Sequence, residues 1–138
     1  MPHKTDAADP AWIRQAAGYS SNGMSVAVDR DGNAYVTGLS KGDISFTRNT
    51  LENPAGRGVK SDVFVVSYAP DGRVRWAGQV GGAGADAGLH VVAGRTGVYV
   101  TGFCKGPAEF DGHRLPSAPG RCVFLAKYDF DGKILEHL

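Results

Sequence analysis

Asp29-Arg30-Asp31-Gly32-Asn33-Ala34-Tyr35-Val36-Thr37-Gly38 decides the fold. An Asp-Gly-Asn turn feeds directly into a run of β-formers, which is hairpin chemistry. Its second half returns as Tyr99-Val100-Thr101-Gly102, at an offset of 64. The same offset carries Trp12 onto Trp76, Gln15 onto Gln79 and Gly18 onto Gly82. It also carries Lys41-Gly42 onto Lys105-Gly106, Phe46 onto Phe110 and Leu51 onto Leu115. Beyond this the offset falls to 60: Val63-Phe64 matches Val123-Phe124, Tyr68 matches Tyr128, and Asp71-Gly72 matches Asp131-Gly132. Four residues are therefore extra in copy one, within the Gly- and Pro-containing stretch 52–60, as suits a loop insertion.

Each copy reads as four short strands. The first is Met24–Asp29, matched by Leu89–Ala93, and is rich in small residues such as Ser25, Ala27 and Ala93. The second is Ala34–Leu39, matched by Val98–Phe103. Turns at 31–33 and 95–97 precede it, where Gly and Asn accept positive φ cheaply. The third is Val63–Tyr68, matched by Val123–Tyr128, and an Asp-Gly turn follows each. The fourth, Arg73–Gly78, carries Trp76, and its Arg73-Val74-Arg75 reads as a solvent face. Short strands at even spacing, four to a repeat, predict all-β propeller blades. The expected architecture is two four-stranded antiparallel blades, part of a larger closed propeller.

Composition agrees. The 138 residues include 20 Gly, roughly twice the ~7% average share. Val outnumbers Leu fourteen to seven and there are three Glu, a balance that favours strands over helices. No segment carries a helical apolar period, a long apolar run or a charge block. A net charge of +1 gives no long-range attraction for nucleic acid or an anionic membrane. Residues 1–10 form a polar tail without the apolar core of a signal peptide. Residues 11–18 read as an outer strand completing a blade, 23–80 as blade one and 87–138 as blade two.

The pattern resembles the bacterial β-propeller repeat family SBBP, whose members carry D-x-x-G-N-x-Y-V-T-G, a Phe, D-x-F-V-x-K-Y-x-x-D-G and a Trp. Copy one matches at 29–38, Phe46, Asp62-Val63-Phe64-Val65, Tyr68, Asp71-Gly72 and Trp76. Copy two matches at Tyr99–Gly102, Phe110, Val123-Phe124, Lys127-Tyr128 and Asp131-Gly132. It departs at Arg95-Thr96-Gly97 and at Cys122, where the family pattern has Gly-Asn and Asp. The resemblance implies a scaffold or surface-protein module, extracellular or at the cell surface, and no single chemistry.

Closed propellers usually have four to eight blades, and open strand edges invite pairing. Either this chain belongs to something longer, or copies assemble into a homo-oligomer, a trimer giving six blades or a tetramer eight. The ends suggest assembly. The Trp12 strand has no blade of its own, and the last strand, Lys133–Leu138, carries Glu136 where Trp is expected. The Trp12 strand could complete that last blade in a neighbouring subunit.

Candidate site residues are few. Trp12 and Trp76 could stack on sugars or pack between blades with the indole N–H satisfied. Asn22 and Asp86, taken as equivalent, could be hydrogen-bonding groups at a blade junction or turn formers. His90 lies on an inner strand and could line the channel. Cys104 and Cys122 should face each other across neighbouring strands, as a disulfide or as two thiols. Asp29-x-Asp31-Gly32-Asn33 and Asp129-x-Asp131-Gly132 look like pieces of a calcium loop but lack the distal bidentate Glu, and an Asp capping its own turn accounts for both. The four His are scattered, and no catalytic triad, metal motif or phosphate loop accompanies them, so no catalytic residue, metal site or cofactor is read. The expected function is a non-enzymatic propeller module for oligomeric assembly and for protein or ligand recognition. The alternative is an oligomeric lectin binding carbohydrate at blade junctions.

Overall fold

The computed structural model describes residues 12–46, 49–51, 61–82, 87–105, 108–110, 113–115 and 120–134. It holds ten strands: β1 (Ala17–Val28), β2 (Ala34–Phe46), β3 (Asn49–Leu51), β4 (Ser61–Tyr68), β5 (Val74–Gly82), β6 (Ala87–Ala93), β7 (Val98–Lys105), β8 (Ala108–Phe110), β9 (His113–Leu115) and β10 (Arg121–Tyr128). There is no helix among the described residues. Blade one is the antiparallel meander β1-β2-β4-β5, and blade two is β6-β7-β10. Among the described residues, blade two continues after β10 with a bridge from Tyr128 to Ile134, in the position where Tyr68 pairs with Val74.

The turns follow from their residues. At 29–33, 69–73 and 129–133 the first residue's N–H donates to the last residue's carbonyl at 3.0, 2.7 and 2.8 Å. Gly32, Gly72 and Gly132 take φ of 85°, 89° and 90° there. The aspartates cap these turns. The Oδ1 of Asp29 accepts the N–H groups of Asp31 and Asn33, and that of Asp129 those of Asp131 and Lys133, all at 2.9 Å. Copy two's first turn differs from expectation. It is one residue shorter, Gly94 N–H donates to Gly97 O at 2.8 Å, and Gly97 does not use positive φ.

Both inner strands carry a bulge at the same point, between Gly23 and Ser25 and between Gly88 and His90. A Cβ on Gly38 would strike the Asn22 carbonyl, and one on Gly102 the Ala87 carbonyl. Glycine there lets the bulged backbone close onto its neighbour. This register corrects one equivalence. Asn22 faces Leu39 as Ala87 faces Phe103, so the counterpart of Asn22 is Ala87 and not Asp86. Asp86 itself lies outside the described residues.

The strands run longer than the sequence patterning indicates, β1 and β2 most of all. β2 continues to Phe46 and turns back as β3, and Phe110 and Leu115 mark the matching hairpin β8–β9. In copy two that hairpin crosses to the end of blade one's outer strand, pairing Gly81 with Glu109 and Gly82 with Ala108. In copy one the same register pairs Ala17 with Ser45 and Gly18 with Ile44. The first residues of β1 therefore occupy in copy one the place that the end of β5 occupies in copy two, and β1 continues as blade one's inner strand.

Candidate functional site at the blade junction

The two sheets bury their side chains against each other. Blade one contributes Tyr35, Val63 and Val65, and blade two contributes Val98, Val100, Phe124, Ala126 and Tyr128. On the inner strands, the Val91 N–H donates to Ser25 Oγ at 3.2 Å. Trp76 closes the outer end. Its ring lies 5.6 Å from that of Tyr128 at 22° and 6.0 Å from that of Tyr35 at 50°. It also covers the Asp131-Gly132 turn, where a Cβ on Gly132 would meet the indole at 2.5 Å, and its Nε1–H donates to Phe130 O at 2.9 Å.

Trp12 repeats the arrangement one blade earlier. Its Nε1–H donates to Pro70 O at 2.8 Å, its ring lies 6.0 Å from that of Tyr68, and a Cβ on Gly72 would meet it at 3.0 Å. Arg14 adds to this lock, its Nε–H donating to Gly72 O at 2.7 Å and its guanidinium lying 5.6 Å from the Trp12 ring. Both tryptophans thus pack on an Asp-Gly turn with satisfied N–H groups. Trp76 is half-buried and held between two tyrosines and a turn.

A tryptophan seated on an Asp-Gly turn thus occurs twice in this chain, once in each copy of the repeat. Residues 11–45 match the SBBP beta-propeller repeat. No curated protein matches the chain at a significant level. The SBBP match starts at the Trp12 segment and takes in β1 and nearly all of β2.

A cleft of about 540 Å³ opens at the turn end of the junction, lined by Asp29, Asn33, Arg75, Arg95, Phe130 and Asp131 among others. Arg75 is its organised cation. Its Nη1 donates to Ser67 Oγ at 2.9 Å and to the Tyr35 hydroxyl at 3.3 Å, and its Nη2 lies 3.7 Å from Asp131 Oδ1. Tyr35 donates its hydroxyl to Asp29 Oδ2 at 2.7 Å, and Asn33 donates to the same oxygen at 3.0 Å. Burial, then the bond to Asp29, pushes the Tyr35 phenol up to about 12. Burial works against the Asp29 charge, but the donors Tyr35, Asn33 and Asp31 outweigh it and hold the carboxyl below its usual range.

The reading of Arg75 as solvent-facing is therefore corrected. Arg73 is exposed and paired with Asp71 at 2.8 Å, whereas the Arg75 side chain is 23% exposed and turned into the junction. The cause is a register shift. Ser67 faces Trp76 but Tyr68 faces Val74, so Arg75 is the extra residue of a bulge. A bulge re-aims one side chain, and strand alternation read from sequence cannot place it. Of the remaining candidates, Asn22 is exposed on β1, and His90 is exposed on β6 opposite Thr101. Neither lines the cleft. Cys104 and Cys122 are register partners, as expected, and are present as thiols, Cys104 buried and Cys122 half-buried. Ser40 and Asp62 occupy the matching pair in blade one.

Proposed function

We propose that the chain is a non-enzymatic propeller module: it works as part of a larger ring of blades and presents its turn-end clefts for recognition. One comparison carries this reading. Val63 and Val65 are 0% exposed against blade two, while their counterparts Val123 and Leu125 on blade two are 83% and 72% exposed. A face that packs a blade in copy one is bare in copy two, and apolar residues so placed mark an interaction surface. Sedimentation velocity at micromolar concentration tests it. Particles larger than one chain are expected, and a monomer throughout overturns the reading.

The second reading, a lectin, draws on the cleft beside Arg75, whose guanidinium is fixed by Ser67 and Tyr35 before any ligand arrives. It locates the ligand beside Arg75 and Arg95 and not on the tryptophan faces. A glycan array with the parent chain and Arg75→Ala tests it: binding that ignores the substitution removes the cleft from consideration.

A further inference from the structure

The two apolar clusters of this chain are the same junction in different states of completion. The first joins Trp76 and the blade-two set Val98, Val100, Phe124, Ala126 and Tyr128 to three residues of the preceding blade, Tyr35, Val63 and Val65. The second joins Trp12, Ile44 and Phe46 to the matching blade-one set Ala34, Val36, Phe64, Val66 and Tyr68, with no residue of a second sheet among the described ones. A cavity of about 410 Å³ lies at that place, lined by Trp12, Val26, Val36, Phe64, Val66 and Tyr68. The counterparts of the absent three are Tyr99, Val123 and Leu125, at the opposite end of the same chain, where the latter two are exposed.

We infer that a second copy of this chain docks head to tail, seating its Tyr99, Val123 and Leu125 in this cavity, and that its blade two takes the first copy's 12–18 segment as its fourth strand. This rests on the propeller-module reading and names its partner. The register argues for the exchange. In blade one Ser67 faces Trp76, Val65 faces Gly78 and Val63 faces Val80. Transferred by the repeat, Lys127 faces Trp12, Leu125 faces Arg14 and Val123 faces Ala16 across the subunits. Ile134, already bridged to Tyr128, occupies the place of Val74, and the exchanged Trp12-Ile13-Arg14-Gln15-Ala16 take the places from Trp76 onward. Blade one reads Arg73-Val74-Arg75-Trp76-Ala77-Gly78-Gln79-Val80 at the same places. The chain's own residue at the Trp76 place is Glu136, which has no indole to cover Gly132 or to donate to Phe130 O. The exchanged strand supplies one in Trp12. The contact is heterologous, so copies add head to tail and close into a ring when their rotations complete a full turn.

The test uses two singly substituted chains in a Cys104→Ser, Cys122→Ser background, serine being the natural occupant at Ser40. One carries Ala16→Cys and the other Val123→Cys. The two are mixed, allowed to exchange subunits and oxidised with a disulfide reagent. A covalent heterodimer between Cys at 16 and Cys at 123 is expected, with little from the off-register pair Ala16→Cys and Leu125→Cys. Oligomers that form without the 16–123 bond overturn the exchange and leave the module reading standing. A monomer at every concentration overturns both.

Discussion

Trp76 donates its indole N–H to the carbonyl of Phe130 at 2.9 Å, across the boundary between the two blades. Trp12 does the same to Pro70 at 2.8 Å. One side chain on an outer strand thereby fixes the distance and tilt of the following blade. It fills the space over a glycine turn and satisfies its own polar group at the edge.

Trp76→Phe keeps ring packing and loses the hydrogen bond, so it is expected to cost about 1 kcal/mol of stability. Trp76→Ala also empties the space between Tyr35 and Tyr128 and is expected to cost about 3 kcal/mol or more. Urea unfolding midpoints of the two variants check the order. Equal losses would mean the ring contributes nothing beyond its N–H.

Gly132→Ala meets two obstacles: a φ of 90° and the indole of Trp76 at 2.5 Å. It is expected to destabilise by about 1–3 kcal/mol. Gly120 also has positive φ, at 77°, but with open space around its Cβ position. Gly120→Ala should therefore cost only the conformational part, about 1 kcal/mol. Thermal unfolding of the pair separates backbone strain from collision with tryptophan.

Cys104 and Cys122 sit directly opposite each other on β7 and β10. Antiparallel register partners lie ~4.5–5.5 Å apart at Cα, inside the range a disulfide spans. Oxidised glutathione should convert the two thiols into one intramolecular disulfide, itself being reduced to two thiols. Closing a loop of this size should add roughly 3 kcal/mol by the chain-entropy estimate. Peptide mapping after alkylation checks the link, and two separate glutathione adducts would contradict it.

Stability should fall at both extremes of pH, for different residues. Asp29 is held below its usual value, so its contribution is present above the unfolded carboxyl pKa and is lost as pH falls through the folded one. Tyr35 is raised from 10.0 to about 12, so its contribution is full below 10.0 and is lost as pH rises towards about 12. Asp29→Asn should flatten the acid limb and Tyr35→Phe the alkaline limb. Urea midpoints measured across pH check both, and an alkaline limb unchanged in Tyr35→Phe would exclude the phenol.

Much of the architecture was legible because it depends on local chemistry repeated in register. Asp-Gly turns, β-branched runs and paired tryptophans each have a near-neighbour cause, so a 64-residue repeat was enough to read strands, turns and blades. The site was less legible. Arg75 looked like surface because strand alternation assumes an unbroken ladder, and the bulge after Ser67 breaks it. Asn22 was paired with the wrong partner because the offset is 65 along β1 and β6, and a first turn one residue shorter in copy two restores it to 64.

The sequence by itself determined that this is an all-β chain of repeated hairpins, with glycine where a turn needs positive φ and a tryptophan repeated at an offset of 64. The tertiary structure alone decided which faces meet. Val63 and Val123 are the same residue at the same place in the repeat, and no local property distinguishes them. One is buried and the other bare because a second blade lies against the first and none lies against the second. Burial belongs to the neighbour a face has, and a repeat cannot state how many neighbours follow.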